Sequence, residues 1–281
     1  MSILRGIAVT SAALMASAFV AQAADLYGSH GGRGSIKDDH TYAAAPSGCP
    51  TWYARVDGGY SSFDRPAFSQ VGIDDHVNSR IEGAGSFGGG IASYATLSVN
   101  GSTVSDNEAI SSIGYSLGGG IFQRGTSSSL TITSSTISGN AASAGGGVLV
   151  EDGVATITKS SIVGNQATSR PYSDGGGVAN NKGRLTITDS TISGNTATSV
   201  GGGVLSITNL TGTQFTTIIN STISGNSAPY GGGVFNRKGL TTIRHTTITN
   251  NTASVQGGGL SASDGITRTD IHSTIIAGNS A

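Results

Sequence analysis

The chain has 281 residues, of which 45 are glycine, and 15 Lys and Arg against 16 Asp and Glu give a net charge of −1. Glycine is more than twice its average share of about 7%, and charged residues make up only 11%. A helical bundle needs more Leu, Ala, Glu and Lys, and nucleic-acid binding needs a basic surplus. The one cysteine, Cys49, has no internal disulfide partner, and no Cys/His cluster suggests a metal. The composition therefore predicts an extended β protein with no cofactor and no nucleic-acid partner.

The first 23 residues have the three parts of an export signal. Arg5 supplies a positive charge, residues 6–20 form an apolar core, and the Ala-Gln-Ala at 21–23 fits a small-residue cleavage site. The apolar core is shorter than the roughly 20 residues that a membrane-spanning helix needs. We therefore predict a signal peptide over 1–23, a mature chain that begins at Ala24, and no transmembrane helix.

Residues 24–87 differ in composition from the rest of the chain and are predicted to form an irregular linker. Within them, the run Trp-Tyr-Ala-Arg-Val-Asp-Gly-Gly-Tyr at 52–60 alternates as a strand does. The segment 1–66 resembles the N-terminus of small outer-membrane β-barrel proteins of the alpha-proteobacterial type, in which such a strand opens the barrel. This resemblance implies export toward the outer membrane. A barrel needs at least eight alternating strands, and the remaining sequence does not supply them.

From residue 88 to residue 281 the chain is an array of repeats, which is the domain we expect to fold. Each repeat holds a Gly-Gly-Gly triplet and, further on, an asparagine. The triplets begin at Gly88, Gly118, Gly145, Gly175, Gly201, Gly231 and Gly257. The asparagines are Asn107, Asn140, Asn165, Asn195, Asn226, Asn251 and Asn279.

Alignment of the seven repeats shows three columns that are aliphatic in every copy. The first column is Ile91, Ile121, Val148, Val178, Val204, Val234 and Leu260. The second column is Val99, Ile132, Ile157, Ile187, Ile218, Ile243 and Ile271. The third column is Val104, Ile137, Ile162, Ile192, Ile223, Ile248 and Ile276. The positions beside them are mostly Thr and Ser, so each segment alternates with the period of a β-strand.

A unit of this length with three short strands corresponds to one coil of a parallel β-helix. We predict an all-β solenoid of about seven coils, in which coils stack about 4.8 Å apart and each Ile lies above the next. The glycines fit corners that need positive φ or close backbone approach. The asparagines fit left-handed corner positions, with side-chain amides that hydrogen-bond from coil to coil.

The repeat resembles the right-handed parallel β-helix repeats of bacterial surface proteins of the polymorphic outer membrane protein type. That family is marked by a Gly-Gly-small turn, seen here at 145–148, and by an apolar-x-x-Asn turn, seen here at 137–140. The resemblance covers residues 88–281. It implies a right-handed β-helix, whereas the same architecture carries enzymes, adhesins and inert stalks.

Candidate ligand contacts lie at the corners where the repeats vary. The longest insertion carries Arg170, Tyr172 and Asp174, and Tyr230 occupies the same type of corner two coils later. Exposed Tyr and Arg side chains can contact a polysaccharide or a surface protein, although tolerated loop decoration is the simpler interpretation because loops accept insertions at little cost. A second charged edge, which includes Glu151 and Asp152, is compatible with a calcium-dependent polysaccharide lyase or with a solvated edge. No catalytic or metal-ligating residue is predicted.

The repeats predict a non-enzymatic, exported protein of the outer membrane, the cell surface or the medium, similar to an adhesin or an autotransporter passenger. The alternative is a carbohydrate-active β-helix protein, either a pectate-lyase-like enzyme or a polysaccharide-binding module. Solenoids usually carry a polar cap at each end, and no cap follows Asn279. We therefore expect either a bare end or a longer passenger.

Overall fold

The alternation of aliphatic and hydroxyl residues forms short parallel strands, one turn above the next. The computed structural model describes residues 71–73, 76–77, 80–83, 86–111, 115–168, 174–207, 215–263 and 267–281. All regular structure within these ranges is β-strand. The predicted signal peptide and the strand at 52–60 lie outside the described residues.

Two sheets form the faces that follow each glycine triplet. The first sheet consists of Ile91–Ser93, Ile121–Arg124, Val148–Glu151, Val178–Asn181, Val204–Ile207, the start of Val234–Arg244, and Leu260–Ala262. The second sheet consists of Val71–Ile73, Thr96–Asn100, Ser129–Thr133, Val154–Thr158, Arg184–Thr188, Phe215–Ile219, the end of Val234–Arg244, and Thr267–His272. The continuous strand Val234–Arg244 joins the two into one 14-stranded sheet.

The remaining faces are formed by shorter strands. The eight-stranded third sheet consists of His76–Val77, Thr103–Ser105, Thr136–Ser138, Ser161–Val163, Thr191–Ser193, Thr222–Ser224, Thr247–Thr249 and Ile275–Ala277. The seven-stranded fourth sheet consists of Arg80–Gly83, Glu108–Ser111, Ala141–Ala142, Gln166–Ala167, Thr196–Ala197, Ser227–Tyr230 and Thr252–Gln256. A separate pair joins Ser86–Phe87 to Ser116–Leu117.

The strand register places the predicted aliphatic columns directly above one another. Ile132 pairs with Ile157, and Ile157 pairs with Ile187, all in parallel. The third column has the same order, because Ile137 pairs with Ile162 and Ile162 with Ile192. These six side chains are fully buried in one continuous core, which confirms the predicted parallel β-helix. The stack has about six turns, within one turn of the number predicted.

The stack includes strands that precede the predicted start of the repeats. Val71–Ile73 pairs with the second-sheet strand at 97–99, and Arg80–Gly83 pairs with the fourth-sheet strand at 108–111. The columns are least covered in the last described coil, where Ile271 and Ile276 are each 42% exposed.

The corner after the third sheet, which recurs along the stack, is built on a ladder of buried asparagines. Each amide Nδ2 donates to Oδ1 of the asparagine in the next coil, as from Asn140 to Asn165 at 2.8 Å and from Asn165 to Asn195 at 2.9 Å. The same Oδ1 accepts the backbone N–H of the preceding asparagine, as Asn165 does from Asn140 at 3.0 Å. All three side chains are fully buried. The expected coil-to-coil hydrogen bonds are therefore present.

The expected left-handed conformation of the ladder asparagines is wrong by one position. Positive φ belongs to the residue just before each of them, which is Gly139 (63°), Gly164 (64°) or Gly194 (62°) in the central coils. The physical reason is that the left-handed residue turns the chain, and this turn aims the following side chain into the interior. Asn is thus retained for its buried amide and not for its tolerance of positive φ.

A second ladder, which the sequence analysis did not predict, lies at the corner between the second and third sheets. It is built from serine and threonine hydroxyls, each of which accepts the backbone N–H of the equivalent residue in the preceding coil. Ser160 Oγ accepts from Ser135 N at 3.1 Å and donates to the carbonyl of Thr158 at 2.8 Å. The residues of this ladder are Ser102, Ser135, Ser160, Ser190, Ser221, Thr246 and Thr274.

Substitution of Ser160 by alanine is expected to lower the free energy of unfolding by about 1–2 kcal/mol, because the buried N–H of Ser135 loses its acceptor. Ser161→Ala is the matched control, since Ser161 lies on the strand surface and keeps its backbone bond to the carbonyl of Ser135. Urea denaturation followed by circular dichroism measures both. Equal losses for the two variants would contradict a role for the hydroxyl ladder.

Candidate functional site

The outward side of the first sheet carries a second apolar cluster. Its buried members follow the inward column by one residue and are Phe122, Leu149, Ala179, Leu205 and Phe235. Phe87, Leu117 and Val200, each of which directly precedes a glycine triplet, pack against this cluster. The tight corner at each triplet therefore places the preceding residue against the outer side of the first sheet. We call the residues that precede the triplets the corner column.

Two of the predicted ligand-contact residues lie in the corner column. Parallel bridges join Ala144 to Asp174, Asp174 to Val200, and Val200 to Tyr230. Asp174 and Tyr230 are thus on one edge, two coils apart, and Tyr230 is 39% exposed. The other two predicted contacts, Arg170 and Tyr172, lie outside the described residues.

Asp174 places a carboxyl group where neighbouring coils have apolar side chains. Partial burial raises the pKa of the Asp174 carboxyl above its usual range, although the Arg237 guanidinium and a hydrogen bond with Ser199 act in the opposite direction. Ala179, which follows the glycine triplet that Asp174 precedes, is the smallest buried member of the apolar cluster. Polar side chains therefore interrupt an otherwise apolar edge. They are Asp174, Ser199, Arg237 and Tyr230.

Asp174→Asn is expected to stabilise the protein slightly at neutral pH and to have no effect near pH 3. A carboxyl whose pKa is raised by folding stabilises the folded state while protonated, and this contribution is lost as the pH rises through the folded pKa. The asparagine amide stays neutral at every pH, so the variant does not lose this stability at neutral pH. Thermal unfolding of both proteins at the two pH values tests this. A gain of the same size at both pH values would show that ionisation of Asp174 is not its cause.

A line of polar side chains lies on the other side of the first sheet, where its strands end. Arg124 pairs in register with Glu151, and Glu151 pairs with Asn181. Tyr94 follows Ser93, which pairs with Gln123, so Tyr94 lies beside Arg124. We call Tyr94, Arg124, Glu151 and Asn181 the edge row.

The charges of the edge row compensate one another. Arg124 Nε lies 3.5 Å from Glu151 Oε2, an ion pair without hydrogen-bond geometry. Asn181 Nδ2 donates to the other carboxylate oxygen at 3.5 Å. Burial raises the pKa of the Tyr94 phenol, Arg124 lowers it and Glu151 raises it. The phenol therefore lies within the electrostatic reach of both charged groups.

Two features of these edges escaped sequence reasoning. The repeat alignment does not distinguish Tyr94, and it does not show that Arg237 is a neighbour of Asp174. Both relationships depend on side chains from different coils, and the repeat alignment shows only which residues are equivalent. Over the part of the chain that the structure describes, no group of three His, Cys, Asp or Glu side chains is placed to hold a metal ion.

The fold and its two ladders define a β-solenoid repeat protein. Residues 245–263 match the family model of the Chlamydia polymorphic membrane protein repeat. The match includes the third-sheet strand Thr247–Thr249, the ladder residue Asn251 and the triplet that begins at Gly257. Searches of curated proteins and of solved structures gave no significant match.

The resemblance of residues 1–66 to outer-membrane β-barrel proteins concerns residues that the structure does not describe, and none of the comparisons supports it. Among the described residues there is no helix with the length and hydrophobicity that crossing a membrane requires.

Proposed function

We propose that this chain is an exported, non-enzymatic β-helix protein of the outer membrane or cell surface, similar to an adhesin or an autotransporter passenger. The observation that carries the proposal is the match of residues 245–263 to the polymorphic membrane protein repeat, in a stack whose coils from Ser102 onward repeat the same two corner ladders. The predicted signal peptide over 1–23 gives the export route.

The geometry supports a role as a scaffold that presents surface side chains to a binding partner. Each coil contributes its inward Ile or Val to a continuous core, and the ladders satisfy the buried polar groups of the corners. Stacked coils in which each contacts only its neighbours make an elongated scaffold. The exposed positions of such a scaffold, away from the covered outer side of the first sheet, are free to vary, and an adhesin needs this freedom.

Protease treatment of intact cells that express the full chain tests surface display. We expect digestion of the protein in intact cells while a periplasmic marker survives. Leu14→Arg, which places a charge in the predicted apolar core of the signal, is the control and should keep the protein inside the cell. Protection of the wild-type protein in intact cells, with digestion only after lysis, would exclude the surface location.

A carbohydrate-active protein is the second candidate, because the Asp174 carboxyl and the exposed Tyr230 ring lie on one edge, two coils apart. Partial burial also raises the pKa of this carboxyl, as is common at catalytic sites. Incubation of the purified chain with polygalacturonate and calcium distinguishes the candidates. We expect no new unsaturated or reducing ends. Product formation that Asp174→Asn abolishes would replace the adhesin proposal with an enzyme.

A further inference from the structure

The edge row presents an aromatic ring and polar side chains in one line, and its first two members are well exposed. Tyr94 is 56% exposed, and the Arg124 side chain is 50% exposed. Because parallel strands lie about 4.8 Å apart, the four members of the row are spaced evenly along the solenoid axis. A ligand that contacts the whole row must therefore be a linear chain of repeating units that runs along the solenoid axis.

The ring of Tyr94 is held in place by the buried ring of Phe122. It contacts Phe122 edge to face, with ring centroids 6.0 Å apart and an angle of 74° between the planes. Phe122 is fully buried and packs on Phe87 at 5.2 Å. A tyrosine positioned in this way presents rigid contact area at a low entropy cost, with its hydroxyl as a polar end.

The charge balance of the row selects against an ionic ligand. The Arg124 guanidinium is already countered by the Glu151 carboxylate 3.5 Å away, so little attraction for an anion remains. Arginine still has donors on its planar fork beyond Nε, and Asn181 offers both a donor and an acceptor. The row therefore combines an aromatic face with neutral hydrogen-bonding capacity.

We propose that the edge row binds a neutral saccharide chain that lies along the solenoid axis, stacked on Tyr94 and hydrogen-bonded by Arg124 and Asn181. A sugar ring has an apolar C–H face that packs on an aromatic ring, and its hydroxyls point to the sides, where the polar side chains lie. A protein partner would need about 800 Å² on each side, which four side chains in a line do not provide. The inference rests on the proposed function and names the class of ligand that the displayed surface contacts.

Affinity electrophoresis of the full mature chain in gels that contain dextran, soluble starch, laminarin, galactomannan or hydroxyethylcellulose tests the proposal. We expect retardation by at least one of these neutral polysaccharides. Tyr94→Ala should weaken binding about tenfold or more, and Tyr94→Phe, which keeps the ring, should stay within about threefold of wild type. Arg124→Gln should also weaken binding. Tyr115→Ala, which removes a tyrosine that is 48% exposed and lies outside the edge row and the corner column, is the matched control and should bind as wild type does.

Three outcomes would overturn the inference. These are the absence of retardation in all five gels, retardation only in two further gels that contain the acidic polysaccharides alginate or polygalacturonate, and binding that Tyr94→Ala leaves unchanged. Circular dichroism and thermal unfolding of each variant exclude misfolding as the cause of a loss. Surface digestion of cells that express the wild-type chain separates the two proposals. A wild type that is displayed but binds none of the neutral polysaccharides contradicts the saccharide site alone, and a wild type that is not displayed contradicts the proposed function.

Discussion

Gly147→Ala is expected to destabilise the solenoid by about 3–5 kcal/mol. A Cβ atom at this position would lie 2.6 Å from the carbonyl oxygen of Gly177 in the next coil and 3.0 Å from the amide of Asn165. Neither neighbour is a flexible side-chain end, because one is backbone and the other is a member of the asparagine ladder. The substitution must therefore separate two coils or break a buried hydrogen bond. Urea denaturation followed by circular dichroism measures the effect.

Gly164→Ala is the control that separates steric contact from backbone conformation. Gly164 has a φ of 64°, and a Cβ atom there would meet nothing within 4 Å. Alanine at this position should cost only the left-handed penalty of about 1–2 kcal/mol. If Gly164→Ala proved as damaging as Gly147→Ala, the close stacking at the triplet would not be the reason for its glycines.

Asn165→Ala is expected to cost about 3–5 kcal/mol, because it removes four hydrogen bonds from a fully buried site. The side chain accepts from the backbone N–H and the amide of Asn140, and it donates to the carbonyl of Ile137 and to Asn195. Each buried group that loses its partner costs about 1–3 kcal/mol. Chemical denaturation of the variant gives the change in unfolding free energy.

Asn100→Ala provides the exposed comparison for the ladder. Asn100 ends a second-sheet strand with its side chain exposed, and its removal should change the stability by no more than about 0.5 kcal/mol. Asn165→Asp adds a further check, since an ionised carboxylate cannot donate to Ile137 or Asn195 and should be at least as harmful as alanine near neutral pH. Tolerance of both substitutions at Asn165 would refute a structural role of the ladder.

The core was predictable because its signal is local and repeated. Each aliphatic position occurs at a fixed distance from a glycine triplet or an asparagine, so the alignment alone identifies the residues that stack, such as Ile132 on Ile157. The stack also includes Val71–Ile73, which carries no triplet. The serine ladder was missed because serine is common throughout this chain, so that the buried Ser160 does not stand out from the half-buried Ser161 beside it.

The candidate sites could not be derived in the same way. Asp174 and Arg237 interact across coils through the exposed edge, and Tyr94 lies over Phe122 from the neighbouring coil. Side-chain direction at a corner depends on which residue takes positive φ, and that residue is often not glycine, as at Lys159 (51°) and Asp189 (51°). No periodic rule assigns such positions.

By itself, the sequence determined the parallel β-helix and the residues of its core, because burial of a strand's inward positions needs only the right residue type at the right interval. Only the tertiary structure decided which polar side chains enter the interior, what covers the outward apolar cluster, and which charged groups face one another. These features depend on contacts between coils that are separated in the chain by a full turn. Their geometry follows from the stacking and not from any one repeat.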